Sequence, residues 1–220
     1  MNNVFLDIET IPNQSPEYRA EVRKNITAPA QYKKPESIAK WIEENGDTAV
    51  DEIVAKTSFD PALGHICCIG WAIGDDDVRY YDMRKIEDEA DMLRGFFHNL
   101  PDLGQNRFIG HYISGFDLRF ILCRAVVLGV PLPHKTLFPR DVKPWGEQVF
   151  DTMIAWAGAN GRISQDNLCK ALGLETKGDF DGSQVAAAWA AGEHQKIADY
   201  CKKDTEAVRA IYRRFEAIGY

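Results

Sequence analysis

The chain opens with an apolar run, Val4-Phe5-Leu6, that continues through Asp7-Ile8-Glu9 to Pro12. This is the pattern of a short buried strand interrupted by two acids. Between Ala28 and Pro61 the pattern is polar and irregular, except where Ile38, Trp41, Ile42, Val50 and Ile53 recur within Pro35 to Lys56. That spacing predicts one or two helices, with Pro35 in the first turn, where its missing N–H costs nothing. Residues 28–61 therefore read as a helical insertion beside the first strand. His65 to Ile73 is almost wholly apolar and predicts a second strand; Asp75-Asp76-Asp77 marks a turn, and Val78 to Asp82 completes a hairpin. The period then lengthens. Ala90, Leu93, Phe96 and Phe97 predict a helix over Glu87 to Asn99, ended by Pro101, and Arg107 to Gly110 predicts another short strand. A helix from about Phe116 to Leu128 follows, then a loop over 129–146 that holds four prolines. From Phe150 to Tyr220 the pattern is helical almost throughout, broken at Gly158, Gly161, Gly173, Gly178, Gly182 and Gly192.

Strands giving way to helices in 220 residues suit one α/β domain over 1–220, since neither a repeat nor a linker divides the chain. An apolar fraction of 45% and a charged fraction of 27% exclude collagen-like, coiled-coil and disordered classes. The first apolar stretch is too short for a signal peptide, and Pro61 to Gly74 falls well short of the ~20 residues that span a bilayer. Five cysteines, two of them the neighbours Cys67 and Cys68, suit a reducing compartment. The expected setting is cytoplasmic, with no membrane partner. A net charge of −7 gives no reason to coat duplex nucleic acid, and basic side chains outnumber acidic ones only over 111–150.

Three local patterns carry candidate chemistry. Alternation along a strand puts Asp7 and Glu9 on one face, about 6–7 Å apart along the backbone, where hard divalent cations would relieve their repulsion. An exposed edge or a salt-bridged pair has the same local pattern. In Gly110-His111-Tyr112-Ile113-Ser114-Gly115-Phe116-Asp117, Asp117 falls in the first turn of a helix, where capping alone also accounts for an acid. Tyr200 and Asp204 lie four apart on the last helix and so share a face, with Ile197, Val208, Ile211 and Phe215 as its apolar stripe. Together Asp7, Glu9, Asp117 and Asp204 supply four carboxylates, enough to hold two divalent ions about 3.5–4 Å apart, an arrangement suited to phosphodiester cleavage.

The order Asp-x-Glu, Gly-His-x₄-Phe-Asp, Tyr-x₃-Asp closely resembles the three motifs of the DnaQ-like, or DEDD, 3′–5′ exonucleases, in the variant that carries tyrosine at Tyr200. Lys177-Gly178-Asp179-Phe180-Asp181-Gly182-Ser183-Gln184-Val185, with Trp189 and Gly192, is similar to predicted exonucleases related to the proofreading domain of B-family DNA polymerases. The resemblance implies a ribonuclease H-like α/β fold, with a mixed five-stranded sheet and helices on both faces. It implies a metal-dependent 3′–5′ exonuclease that releases nucleoside monophosphates from single-stranded DNA, using two Mg²⁺ or Mn²⁺ ions. Asp7 would bridge the ions, Glu9 and Asp204 would complete the site of the attacking water, Asp117 would hold the second ion, and Tyr200 would orient the nucleophile. Ile8, Thr10, His111, Tyr112 and Phe116 are the implied substrate contacts. Partners would be single-stranded 3′ ends, DNA rather than RNA, and a replication or repair protein.

One position departs from the family, which usually has Asn where Tyr112 stands; the tyrosine ring would offer a base a stacking surface instead. Two divalent ions would offset four of the seven net negative charges and let an acidic chain meet phosphate. Lys33, Lys34, Lys135, Arg140 and Lys143 are candidates for a strand track, with ordinary solvated charge as the alternative. His65, Cys67 and Cys68 lack the partner pair that zinc needs and read as buried strand residues. The segment from Lys177 to Gln184 reads as a structural turn before a helix over Val185 to Ala191. The same chemistry on RNA, and an inactive nucleic-acid-binding module on this fold, are the rival readings; no residue says how a 2′-OH is treated.

Overall fold

A computed structural model of the chain describes residues 1–176 and 178–220. Five strands form one mixed sheet: β1 (Asn2–Ile11), β2 (His65–Ile73), β3 (Arg79–Asp82), β4 (Asn106–Gly110) and β5 (Val149–Asp151), in the order β3-β2-β1-β4-β5. β1 pairs antiparallel with β2 and parallel with β4, so it is the central strand, and β5 closes the far edge parallel to β4. β2 has its expected bounds, and β3 begins one residue later than the expected Val78. β5 corrects the expectation that everything after Phe150 is helical: three residues ending in an aspartate carry no strand period, and their only strand signature is pairing with distant β4.

The helices are α1 (Pro16–Asn25), α2 (Pro35–Lys56), α3 (Glu89–His98), α4 (Asp117–Leu128), α5 (Thr152–Ala157), α6 (Gln165–Leu172), α7 (Val185–Ala190) and α8 (His194–Glu216). α2 is a single helix with Pro35 at its first turn, as the pattern predicts. α1 was not foreseen; it buries none of its residues, so it has no apolar stripe to read, and Ser15 caps it through the Tyr18 N–H. It packs on α2, with Arg23 against Gly46 and in an ion pair with Asp47. No described helix is long and apolar enough to cross a membrane.

Alternation along β1 sends Val4, Leu6 and Ile8 into a core shared with Leu93, Phe96, Ile121 and Ala125 of α3 and α4, while Phe5 joins Val208, Ile211 and Phe215 of α8 on the opposite face. Asp7 and Glu9 therefore share the α8 side of the strand. At the β1–β2 ladder the register slips between Glu9 and Thr10: Glu9 opposes Cys68 and Thr10 opposes Ile66, leaving Cys67 as the extra residue of a bulge. A bulge adds local twist and re-aims the neighbouring side chains, here at Glu9. On the α3–α4 side, Glu89 is wholly buried. It accepts from Arg124 Nε and Nη2 (2.8 and 2.6 Å), from His65 Nδ1 (2.9 Å) and from the Ile66 N–H (2.9 Å). Burial pushes its carboxyl up, but these donors outweigh it and hold Glu89 below the ordinary carboxylate range, so the pair stays charged and pins α3 and α4 to β2.

α8 reaches the strands because position 70 has no side chain. A Cβ at Gly70 would lie 2.7 Å from Thr205 Oγ1, 3.0 Å from Cys201 Sγ and 3.2 Å from the Cys201 carbonyl oxygen, and Gly70 is the β2 residue that pairs with Asp7. Gly70→Ala is expected to push α8 outward and to cost about 1–3 kcal/mol by overpacking. A Thr205→Ala partner change, which removes the closest atom, should restore part of that loss. Thermal unfolding of the two single variants and the double variant checks both statements; additive losses would show that the helix does not bear on Gly70.

Candidate active site

Three elements bring the foreseen acids to one place. β1 supplies Asp7 and Glu9; Glu9 is 7% exposed, buried among the apolar residues of the strand, and Asp7 is partly buried. α4 supplies Asp117 at its first residue. Its Oδ1 accepts the Ile8 N–H at 3.1 Å across 109 residues of sequence, which ties the start of α4 to the strand between Asp7 and Glu9. α8 supplies Tyr200 and Asp204, both buried and one helical turn apart.

The electrostatics show that these groups feel one another. Burial pushes the Asp117 carboxyl up to about 7; hydrogen bonds from its own N–H and from Ile8 offset part of this, and the charges of Asp151 and Asp204 add to it. Tyr200 is pushed well above the ordinary phenol range, first by burial, then by Asp204, Glu9 and Asp7. A phenol so placed keeps its proton and serves as a hydrogen-bonding group rather than a base. Ligand atoms of Asp7, Glu9 and Cys201 lie within 4.8 Å of one another. The Cys201 thiol was not foreseen, although it directly follows Tyr200. It donates to the Asp7 carbonyl (3.5 Å), and burial, the adjoining Cys68 and the acids raise its pKa, so it stays a neutral packing group. What remains for a cation is a set of carboxylate oxygens crowded in a poorly solvated place. That donor set fits hard ions such as Mg²⁺ or Mn²⁺ and suits softer ions less.

The loop between β4 and α4 is held from beneath by a residue that sequence reasoning missed. Asp151, 2% exposed, accepts from the N–H groups of Tyr112, Ser114, Met153 and Ile154 at 3.1–3.2 Å and from Ser114 Oγ at 2.6 Å. Five donors fill its lone pairs, so it shapes the loop and caps α5 rather than serving as an open ligand. An aspartate directly before a helix was its only signal. His111 spans the same junction: Nδ1 pairs with Thr152 Oγ1 (3.0 Å) and Nε2 donates to the Ile163 carbonyl (2.8 Å).

The other foreseen contacts divide. The Ile8 side chain is in the core, and the Thr10 hydroxyl donates to the Ser58 carbonyl (2.8 Å), so these two, like His111, brace the scaffold. Tyr112 is 37% exposed, with Arg162 5.3 Å above its ring, and Gly115 lies so close that a Cβ there would be 2.3 Å from Tyr112 Cε2. Its φ of 62° is the only left-handed value at a non-glycine among the described residues. Such a backbone costs a tyrosine roughly 1–2 kcal/mol but suits asparagine, the residue that the family resemblance leads one to expect here. Phe116 is partly buried against the core.

The far wall is the segment before α7. Lys177, the first residue of that motif, lies outside the described residues. Asp181 accepts from the Ser183 N–H (2.8 Å) while Gln184 Oε1 accepts from the Asp181 N–H (2.9 Å), the reciprocal capping expected of a structural turn. This turn seats the Phe180 ring edge-on against Tyr200, with centroids 5.1 Å apart. A cavity of about 370 Å³ opens there beside Tyr200 and Asp204, with Lys196 and Lys203 on its rim.

Residues 62–219 match a family described as predicted 3′-5′ exonucleases related to the exonuclease domain of PolB. The chain belongs to this family. No curated protein matches it in sequence. Among solved structures, the family B DNA polymerase from the hyperthermophilic archaeon Pyrobaculum calidifontis superimposes with a TM-score of 0.62 at 15% identity, over 97% of this chain and 24% of the polymerase. At that identity the likeness is one of fold, and the fold of this PolB-related exonuclease family member is ribonuclease H-like, as the motif order implied. The family match covers β2 onward and so includes Asp117, Tyr200 and Asp204, whereas Asp7 and Glu9 lie before it and enter through the sheet.

A raised acid pKa makes a signed prediction. The folded chain holds the Asp117 proton up to about pH 7, whereas the unfolded chain releases it near ~4. The folded state thus binds more protons between those values, and stability falls as pH rises through that window. Without metal, melting temperature should drop from pH 5 to pH 8, and Asp117→Asn should flatten the drop. Mn²⁺ should raise the melting temperature more at pH 8 than at pH 5. Scanning fluorimetry of both proteins across pH checks this, and an equally steep profile for Asp117→Asn would assign the drop to other groups.

Proposed function

We propose that the protein is a metal-dependent 3′–5′ exonuclease that hydrolyses the terminal phosphodiester of single-stranded DNA and releases nucleoside monophosphates, with residues 1–220 acting as one unit. The observation that carries this reading is the convergence of Asp7, Glu9, Asp117 and Asp204 from β1, α4 and α8 on one poorly solvated spot, with Tyr200 among them. The family and the DNA polymerase likeness favour nucleic acid as substrate, and DNA over RNA. A replication or repair protein is the partner such an activity would serve.

Asp7, Glu9, Asp117 and Asp204 would hold two divalent ions. Mg²⁺ or Mn²⁺ bound there supplies charge neutralisation for the phosphate and a lowered pKa for water. The protein's own part is positional. β1 and the bulge at Cys67 fix Asp7 and Glu9, and the Ile8 N–H fixes one oxygen of Asp117. Gln165 Nε2 donates to the Asp204 carbonyl and to its Oδ1 (3.1 and 3.3 Å), orienting that carboxylate. Tyr200, held protonated, directs its hydroxyl to the attacking water, and the Phe180 edge restricts its ring.

Asp7→Ala should abolish hydrolysis, as should excess chelator on the wild type; full activity in either case removes the metal mechanism. Polarity is read separately. A 5′-labelled single strand should shorten progressively, and immediate release of labelled mononucleotide would mean attack from the other end. Matched RNA strands tested alongside should be degraded more slowly.

The two α8 residues should separate under single-turnover conditions over a Mn²⁺ series. Asp204→Asn keeps size but removes charge and should be nearly inactive, whereas Tyr200→Phe should lose on the order of 10–10³-fold with its metal requirement unchanged. A Tyr200→Phe enzyme as fast as wild type would make that tyrosine purely structural.

A further inference from the structure

Phe59 is 73% exposed, an unusual position for a phenylalanine, yet it is held firmly. It ends the 3₁₀ turn Thr57–Phe59 that follows α2. Two bonds clamp that turn to β1 and the residues just after it: Thr10 Oγ1 donates to the Ser58 carbonyl (2.8 Å), and Thr57 Oγ1 accepts the Asn13 N–H (2.8 Å). Thr57 Oγ1 in turn donates to the Val54 carbonyl (2.6 Å), joining the turn to the end of α2. The Phe59 ring faces Phe116, with centroids 6.4 Å apart at 58°, and Phe116 is seated on Phe120 in the core (5.3 Å).

Both anchors of this ring adjoin the acid cluster. Thr10 follows Glu9 directly, and Phe116 directly precedes Asp117. A solvent-facing aromatic whose two anchors are each the chain neighbour of an acid suited to a phosphate-bound cation matches a ligand that joins a phosphate to a flat π-system, which is a nucleotide. We propose that Phe59, backed by Phe116, is the surface on which the substrate's terminal nucleobase rests, so that the segment between β1 and β2 contributes a binding residue to the site. The inference rests on the exonuclease reading and adds to it a residue that neither the motifs nor the family match, which begins at residue 62, includes. Because every base has a π-face, such a contact grips the end of a strand without reading its sequence.

The experiment compares two single strands that differ only at the 3′-terminal nucleotide, one normal and one abasic, with degradation followed in Mn²⁺. The wild type should remove the normal end about tenfold faster. In Phe59→Ala that ratio should fall to about one, and Phe59→Trp should restore it. A 3′-terminal 2-aminopurine strand with Ca²⁺ in place of Mn²⁺ gives a second readout without turnover: its fluorescence should change on binding to wild type and to Phe59→Trp, but much less with Phe59→Ala. If Phe59→Ala keeps the wild-type ratio, or slows both ends equally, the base contact is wrong while the exonuclease reading stands. If the wild type alters the 2-aminopurine signal through Phe59 yet cleaves neither strand, the base contact stands and the exonuclease reading fails.

Discussion

The seating of α8 on the β1–β2 ladder is the contact on which the rest of the site depends. A long amphipathic helix would lie against this sheet for its apolar stripe alone, since Val208, Ile211 and Phe215 bury against Phe5 and Ala72. How closely it lies, however, is set where β2 has no side chain at Gly70 and the helix presents Cys201 and Thr205. One turn of the helix there carries Tyr200 and Asp204, and the strand residue paired with Gly70 is Asp7. Close packing at a glycine thus becomes a short distance between acids, which are groups that would otherwise repel.

That repulsion has a consequence. Asp117, Asp204 and Glu9 are buried, and burial dominates the titration of Asp117 and Tyr200. Burying charge is costly, and on the other side of the sheet the equally buried Glu89 is matched by Arg124 and His65. Glu89 thus belongs to a scaffold ion pair, whereas Asp7 and Glu9 belong to a group of donors that could hold a cation. Asp151 is a third case, a buried acid whose oxygens are filled by five N–H and O–H donors, so that its charge shapes a loop. The three settings draw on the same two residue types and differ in what surrounds the carboxylate.

Local sequence determined much of the frame, because hydrophobic period and helix punctuation act over a few residues. Pro35 begins α2, the apolar run His65–Ile73 is β2, and the acids of α4 and α8 fall within the span that matches the family. Tertiary structure decided what depends on residues far apart in the chain. β5 is a strand only because β4 pairs with it, Gly70 matters only because α8 crosses there, and Phe59 meets Phe116 only because a turn after α2 is clamped to β1. Periodicity records which face of an element is buried, but it does not record what buries it. The carboxylates were therefore legible one by one, whereas their shared loss of solvent, the neutral thiol of Cys201 beside them and the five-donor grip of Asp151 exist only once the sheet has brought distant segments together.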